Sequence, residues 1–275
     1  MGSIFSSSSN SSSIKSPKNS IDNTMYSIMF QPPSPPHNID ENRLFNTIKF
    51  IDTPNYSIAY LIVLPANNKT PTKYMIFSHG NACDLFGMYE FAKFWANKLN
   101  IAVVLYDYPG YGVSNGKPTE QGCYESLTGI VAEISKIVNI KDITLVGQSI
   151  GTGVVVDQIA NNKSLSGAIL ISPYTSVVAI ASDMVSSSSS SLSSTSTFLS
   201  TPIDKFCSLK KIKNVECPVK IFHGNQDNVI NVSHGKELYD KLPNKKFSPV
   251  WMEGVDHNNI LSKIDLNDIR EVIYG

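Results

Sequence analysis

The chain has 275 residues with 23 Lys+Arg against 23 Asp+Glu, and this zero net charge argues against nucleic acid or another strongly charged partner. Hydrophobic residues make up 41% and charged residues 17%, which suits one α/β domain plus a tail. No apolar run approaches the roughly 18 residues of a membrane span. The N-terminus has no apolar run of secretory type, and Cys83, Cys123, Cys207 and Cys217 lack CxxC spacing, so they read as reduced thiols in a cytosolic setting.

Residues 1–40 read as a Ser/Pro-rich disordered tail: Ser runs, the short apolar patch Met25–Phe30, then Pro32-Pro33-Ser34-Pro35-Pro36 as extended polyproline. The folded domain is expected over 41–275. Strand signals fall at Phe45–Ile51, Tyr56–Leu64, Tyr74–Ser78, Ile101–Tyr106, Ile143–Gly147, Ala168–Ile171, Val219–Phe222 and Ser248–Met252. The first two alternate and sit close together, predicting an antiparallel hairpin at one edge. The later ones are short and apolar throughout, as strands covered on both faces are. Helices are predicted at Leu85–Leu99, Thr119–Val138, Ile150–Asn161, Ser233–Leu242 and Asn259–Val272, which gives βαβ units and a mostly parallel sheet with helices on both faces. Ser186–Thr197 is a second Ser-rich stretch, read as compositional drift in a tolerant loop or as a mobile lid.

Gly147-Gln148-Ser149-Ile150-Gly151 fits G-x-S-x-G, with a strand signal before it and a helix signal after it. A Ser at such a sharp turn takes a strained backbone, and the glycines remove side chains that would clash. Ser149 is therefore the expected nucleophile. Its hydroxyl needs a base, and the base an orienting carboxylate. In α/β-hydrolases these follow in the order Ser, acid, His. Of the downstream histidines, His223 ends a strand and reads as structural, and His234 reads as a surface or capping residue of a helix. His257 lies on the loop after the last strand and is the expected base. Asp227, on the loop after Val219–Phe222, is the expected acid; Asp256 ranks below it because a neighbour of the histidine cannot easily fold back onto the ring. The oxyanion hole is expected from the backbone N–H groups of Ile150 and Asn81. His79 reads as shaping the turn around Asn81, and Asp107-Tyr108-Pro109-Gly110-Tyr111-Gly112 as a scaffold turn. No residue cluster has metal-ligand spacing and no cofactor is expected.

Ser78-His79-Gly80-Asn81-Ala82, Tyr106-Asp107-Tyr108-Pro109-Gly110-Tyr111-Gly112-Val113-Ser114, Ile171-Ser172-Pro173-Tyr174 and Glu253-Gly254-Val255-Asp256-His257-Asn258 resemble the α/β-hydrolase domain-containing protein 17 family and its bem46-like relatives. Gly147–Gly153 and Phe30-Gln31-Pro32-Pro33-Ser34-Pro35-Pro36 are similar too. The resemblance implies an α/β-hydrolase fold with an eight-stranded, mostly parallel sheet. It implies hydrolysis of the thioester between a fatty acyl chain and a protein cysteine, with S-acylated proteins as substrates and the membrane surface as partner. It carries the nucleophile, acid and base onto Ser149, Asp227 and His257. The chain departs from the family's pattern at three places: the tail has no cysteine where animal members carry an acylated cluster, Ser186–Thr197 is not a family feature, and Asn259 stands where Asp is frequent. Two rival readings stay open: an esterase or lipase on small or lipid esters, and a non-catalytic binding module on a hydrolase scaffold. Met1-Gly2-Ser3-Ile4-Phe5-Ser6 fits M-G-x-x-x-[ST], so Gly2 is a candidate for myristoylation. One such chain binds membranes marginally and reversibly. The expected location is therefore the cytoplasmic face of membranes with a soluble pool.

Overall fold

Eight strands form one sheet in the order β1-β2-β4-β3-β5-β6-β7-β8. The computed structural model describes Tyr26 and residues 29–36, 47–67, 69–187 and 204–275. The strands are β1 Lys49–Asp52, β2 Ser57–Val63, β3 Tyr74–Ser78, β4 Ala102–Tyr106, β5 Ile143–Gln148, β6 Gly167–Ile171, β7 Val219–Gly224 and β8 Val250–Met252. β1 and β2 pair antiparallel, and β2 is antiparallel to β4. Every pairing from β4 through β8 is parallel. The hairpin edge and the parallel body are thus as the strand patterns predicted.

Successive residues of a strand face opposite sides of the sheet, and the core divides accordingly. Tyr74, Ile76, Ala102, Val104 and Tyr106 join one buried cluster. Met75, Phe77, Val103 and Leu105 join the other. Helices α2 Glu120–Ile134 and α3 Ile150–Asn161 cover the first face. Helices α1 Tyr89–Leu99 and, near the C-terminus, α8 Leu266–Tyr274 cover the second. Further helices are α4 Val177–Ser187, α5 Ser208–Lys211, α6 Val232–Lys241 and α7 Ile260–Lys263. Trp95, on α1, is 1% exposed, and burying such a side chain contributes about 1.5–3 kcal/mol.

Three helices differ from expectation, two of them for local reasons. The predicted Asn259–Val272 helix is two: Asp265 has extended backbone, and its side chain accepts from Asn267 N–H, so it starts α8 as a cap rather than continuing α7. α1 begins at Tyr89 instead of Leu85 because the Asp84 carboxylate takes Gly87 N–H and holds a turn there. α4 carries no sequence prediction; it follows β6 and reaches the first two residues of the Ser-rich stretch read as a loop. Met29 and Phe30, read as tail, are 8% and 4% exposed and belong to the core. The expected disorder of the first 40 residues therefore does not extend to this segment, because two apolar side chains find the domain surface. Residues 1–25 lie outside the described residues, as do 188–197 of the Ser-rich stretch.

Candidate active site

Ser149 joins β5 to α3 with φ 51° and ψ −120°, a conformation that glycine favours and that costs about 1–3 kcal/mol for other residues. Its surroundings hold it there. Ser149 N–H donates to Ile171 O on β6 at 2.9 Å, and Thr152 donates to Ser149 O from both N–H and hydroxyl. The two flanking glycines are required by space. A Cβ on Gly147 would lie 2.5 Å from Gly151 O, and a Cβ on Gly151 would lie 2.1 Å from Ser78 O. The turn thus forms only because α3 can press against the ends of β5 and β3.

Asp227 follows β7. Its Oδ1 accepts from Val229 N–H at 3.0 Å and Ile230 N–H at 2.8 Å. Its Oδ2 accepts from His257 Nδ1 at 2.7 Å. His257 follows β8, and its Nε2 lies 3.2 Å from Ser149 Oγ. With the proton on Nδ1, Nε2 is left to accept the Ser149 O–H. The two loops are locked together by Asn225 N–H to Met252 O at 2.9 Å and Gln226 N–H to Val255 O at 3.0 Å. Gly224 permits this approach: its Cβ would sit 2.1 Å from Val255 O. Burial by itself would raise the Asp227 carboxyl, but hydrogen bonding with His223 and His257 outweighs it and holds the group well below the usual carboxylate range. Asp227 is therefore an anion beside the imidazole.

The competing residues are occupied elsewhere. Asp256 Oδ1 accepts from the N–H groups of Asn258 and Asn259 at 2.8 and 3.0 Å, so it shapes its own turn. The helix after Asp227 is capped by Asn231, which accepts from Ser233 N–H. His79 is buried, donates from Nδ1 to Gly80 O at 2.8 Å and packs 4.3 Å from the Tyr108 ring. His223 is buried and donates from Nε2 to Ile230 O at 2.8 Å, which steadies the Asp227 loop. His234, expected at the surface or in a cap, is buried instead. Its Nδ1 lies 2.8 Å from Thr175 Oγ1 and its Nε2 3.1 Å from Asp183 Oδ2, tying α6 to α4.

Asn81 lies just past β3, and Ile150 opens α3 beside Ser149. Gly80 brings the Asn81 loop close: a Cβ there would be 3.7 Å from Ser149 Cβ. The Asn81 side chain, which the sequence did not single out, accepts from Tyr111 O–H at 2.7 Å. Behind this loop Asp107 accepts from Leu85 N–H at 2.7 Å, and burial pushes its carboxyl up to about 8. Gly112 is needed there, since a Cβ would fall 2.0 Å from Asp107 Oδ2. The Asp107–Gly112 segment is thus a scaffold turn.

A cavity of about 640 Å³ opens beside Ser149, Ile150 and His257. Most of its wall is apolar, with Met29, Met88, Val177, Ile180, Ile230 and Leu261 among the contributors. All four cysteines are free thiols, and Cys83 lines the cavity, with burial pushing its thiol up to about 11. Two contributors were not legible as site residues: Met29 was placed in the tail, and α4, which brings Val177 and Ile180, was not predicted. The apolar patch around Met29 was the only signal. Among the described residues no group of three His, Cys, Asp or Glu could hold a metal ion.

A family model described as "Serine aminopeptidase, S33" matches residues 69–201. An α/β hydrolase of Acanthamoeba polyphaga mimivirus is 44% identical over 214 residues, covering 77% of this chain and 76% of that protein. The chain belongs to the α/β-hydrolase family. Within it, the chain is similar to alpha/beta hydrolase domain-containing protein 17C of Mus musculus, at 36% identity over 188 residues covering 68% of this chain and 54% of that protein. It thus spans about half the length of these domain-containing 17 relatives, and human 17B is 35% identical. Among solved structures, the Pyrococcus furiosus esterase Pf2001 has TM-score 0.65 at 17% identity over 88% of this chain and 97% of that one. Est1E of Butyrivibrio proteoclasticus with bound ferulic acid has TM-score 0.62 at 17% identity, covering 82% and 96%. These likenesses concern the fold.

Proposed function

We propose that the protein is a serine hydrolase that cleaves acyl thioesters, with S-palmitoylated proteins as its substrates. The observation that carries the acyl-transfer reading is the continuous hydrogen-bonded line Asp227–His257–Ser149, at 2.7 and 3.2 Å, opening onto an apolar cavity. His257 takes the Ser149 proton as Oγ attacks the carbonyl carbon. The negative oxygen that forms is received by the N–H groups of Ile150 and Asn81. His257 then gives its proton to the leaving thiol, and water hydrolyses the acyl-enzyme by the same steps. Asp227 stays ionised and stabilises the imidazolium. The thioester preference rests on the likeness to the domain-containing 17 proteins and on a wall suited to a hydrocarbon chain. A small-ester or lipid hydrolase would use the same geometry.

The test is turnover of a palmitoylated peptide and labelling by an active-site serine probe, for wild type and Ser149→Ala. The expected result is loss of labelling and a fall in turnover on the order of 10⁴ or more, with the melting temperature kept. Residual turnover within about tenfold of wild type rules out Ser149. Esters turned over with the thioester left intact would favour the esterase reading. Gly2 lies outside the described residues; its acylation would bring the site to the bilayer, and Gly2→Ala is then expected to empty the membrane fraction. Among the described residues no helix is long and apolar enough to cross a membrane.

A further inference from the structure

Residues 29–31 precede the first strand by some distance in sequence, yet they are bound into the active-site end of the molecule. Phe30 N–H donates to Tyr26 O at 2.9 Å, and the Phe30 ring meets Phe206 edge-on at 6.1 Å between centroids. Gln31 N–H then donates to Asn81 Oδ1 at 2.8 Å, with Tyr111 hydroxyl oxygen 3.1 Å away. Tyr111 O–H donates to the same Asn81 Oδ1 at 2.7 Å. One side-chain oxygen thus fastens an upstream strap to the loop whose backbone faces Ser149. Just before these two fixings Met29 is 8% exposed and lines the cavity that Ser149 and Ile150 also line.

The chemistry of the nucleophile, base and acid does not need this strap. A pocket for a hydrocarbon chain does, because its wall must be apolar and fixed in position. Methionine suits that role: it is unbranched and apolar and fills irregular gaps. The backbone that follows it is pinned by apolar packing at Phe30 and by a hydrogen bond at Gln31, and the Phe30 N–H to Tyr26 O bond closes a turn around it, so the clasp fixes where its side chain enters the wall. We propose that Met29 is a specificity-determining residue for the length of the acyl group, held in the pocket wall by the Gln31–Asn81 clasp. The proposal rests on the acyl-transfer reading above but not on the thioester preference.

The experiment is hydrolysis of p-nitrophenyl acetate, octanoate and palmitate by the full chain, compared among wild type, Met29→Trp, Met29→Ala and Gln31→Pro. Melting temperatures establish that each variant folds. Met29→Trp fills the wall: the palmitate-to-acetate ratio of kcat/KM is expected to fall about tenfold or more, with acetate within about twofold. Met29→Ala opens the wall and is expected to move the ratio the other way. Gln31→Pro removes the N–H that Asn81 accepts, and is expected to follow Met29→Ala because Met29 is released. Labelling rates with short- and long-chain alkyl fluorophosphonates, read by mass shift, give the same comparison without turnover. Ratios within about twofold of wild type in all three variants would overturn the role of Met29 while leaving the acyl-transfer reading intact. A wild type that takes neither esters nor probes overturns both. Ester turnover with no action on an acylated peptide removes only the thioester preference.

Discussion

At the scale of single residues the site depends on which of two neighbouring carboxylates reaches the imidazole. Asp227 has one oxygen on two backbone N–H groups and the other on His257. A carboxylate held by three donors is fixed in orientation and stays ionised. Asp227→Asn keeps the shape but reverses the hydrogen bond to Nδ1, which selects the wrong imidazole tautomer. We expect kcat to fall on the order of 10⁴, measured on a soluble ester. Asp256→Asn disturbs only the turn at Asn258 and Asn259, and is expected to leave kcat within about tenfold. The reverse ranking would transfer the acid role to Asp256.

At the scale of elements, the turn at Ser149 exists because β3, β5 and α3 meet at two glycines. Gly151→Ala puts a methyl carbon 2.1 Å from Ser78 O, which is backbone and cannot swing aside. Helix α3 would have to withdraw from β3, and the Asn81 loop would move with it. The expected cost is about 3 kcal/mol or more by denaturant unfolding, with ester turnover lost in parallel. Gly254 provides the contrast. It has φ +68° but nothing within 4 Å of its Cβ position, so Gly254→Ala pays only the left-handed backbone penalty of about 1–2 kcal/mol. Equal costs for the two substitutions would mean that the close approach of α3 to β3 is not what constrains position 151.

At the scale of the whole molecule, the C-terminal helix closes the second core over the sheet. Lys220 sits inside β7 with its side chain 5% exposed, and its ammonium reaches Asp268 Oδ1 at 2.9 Å and Glu271 Oε2 at 3.1 Å on α8. Burial pulls its value down, but the two carboxylates outweigh this and raise it. Both acids keep water contact, so the pairing itself stabilises modestly. Removing both partners leaves a buried ammonium unpaired, and Asp268→Ala with Glu271→Ala is expected to cost about 1–3 kcal/mol. Lys220→Met removes the charge along with the need for partners and is expected to stay within about 1 kcal/mol of wild type. Thermal unfolding of the two variants measures the difference, and a Lys220→Met as unstable as the double variant would show that the ion pairs hold α8.

Much of this was legible in the chain alone, where one local physical rule governed a stretch. Short apolar runs bounded by turn signals, such as Ala168–Ile171, read as strands covered on both faces, and Gly147 and Gly151 around Ser149 mark a turn with no room for side chains. The order Ser149, Asp227, His257 was readable because each lies just after a strand, and a parallel sheet brings those ends to one edge. What depended on distant partners was not legible. α4 has a Ser176 cap, whose Oγ accepts from Ala179 N–H at 3.2 Å, but a lone Ser before a short apolar stretch is a weak signal, and part of the helix's hold comes from Asp183 meeting His234 far along the chain. Burial of His234 likewise depends on α4. Met29 and Phe30 looked like tail because nothing near them in sequence buries them; Phe206, far along the chain, packs on Phe30, and Asn81 holds the adjoining Gln31. The sequence determined the strands, the turn and the order of the reactive groups through short-range sterics and periodicity. Only tertiary packing decided which apolar residues wall the cavity, because that wall is assembled from segments that share no local pattern.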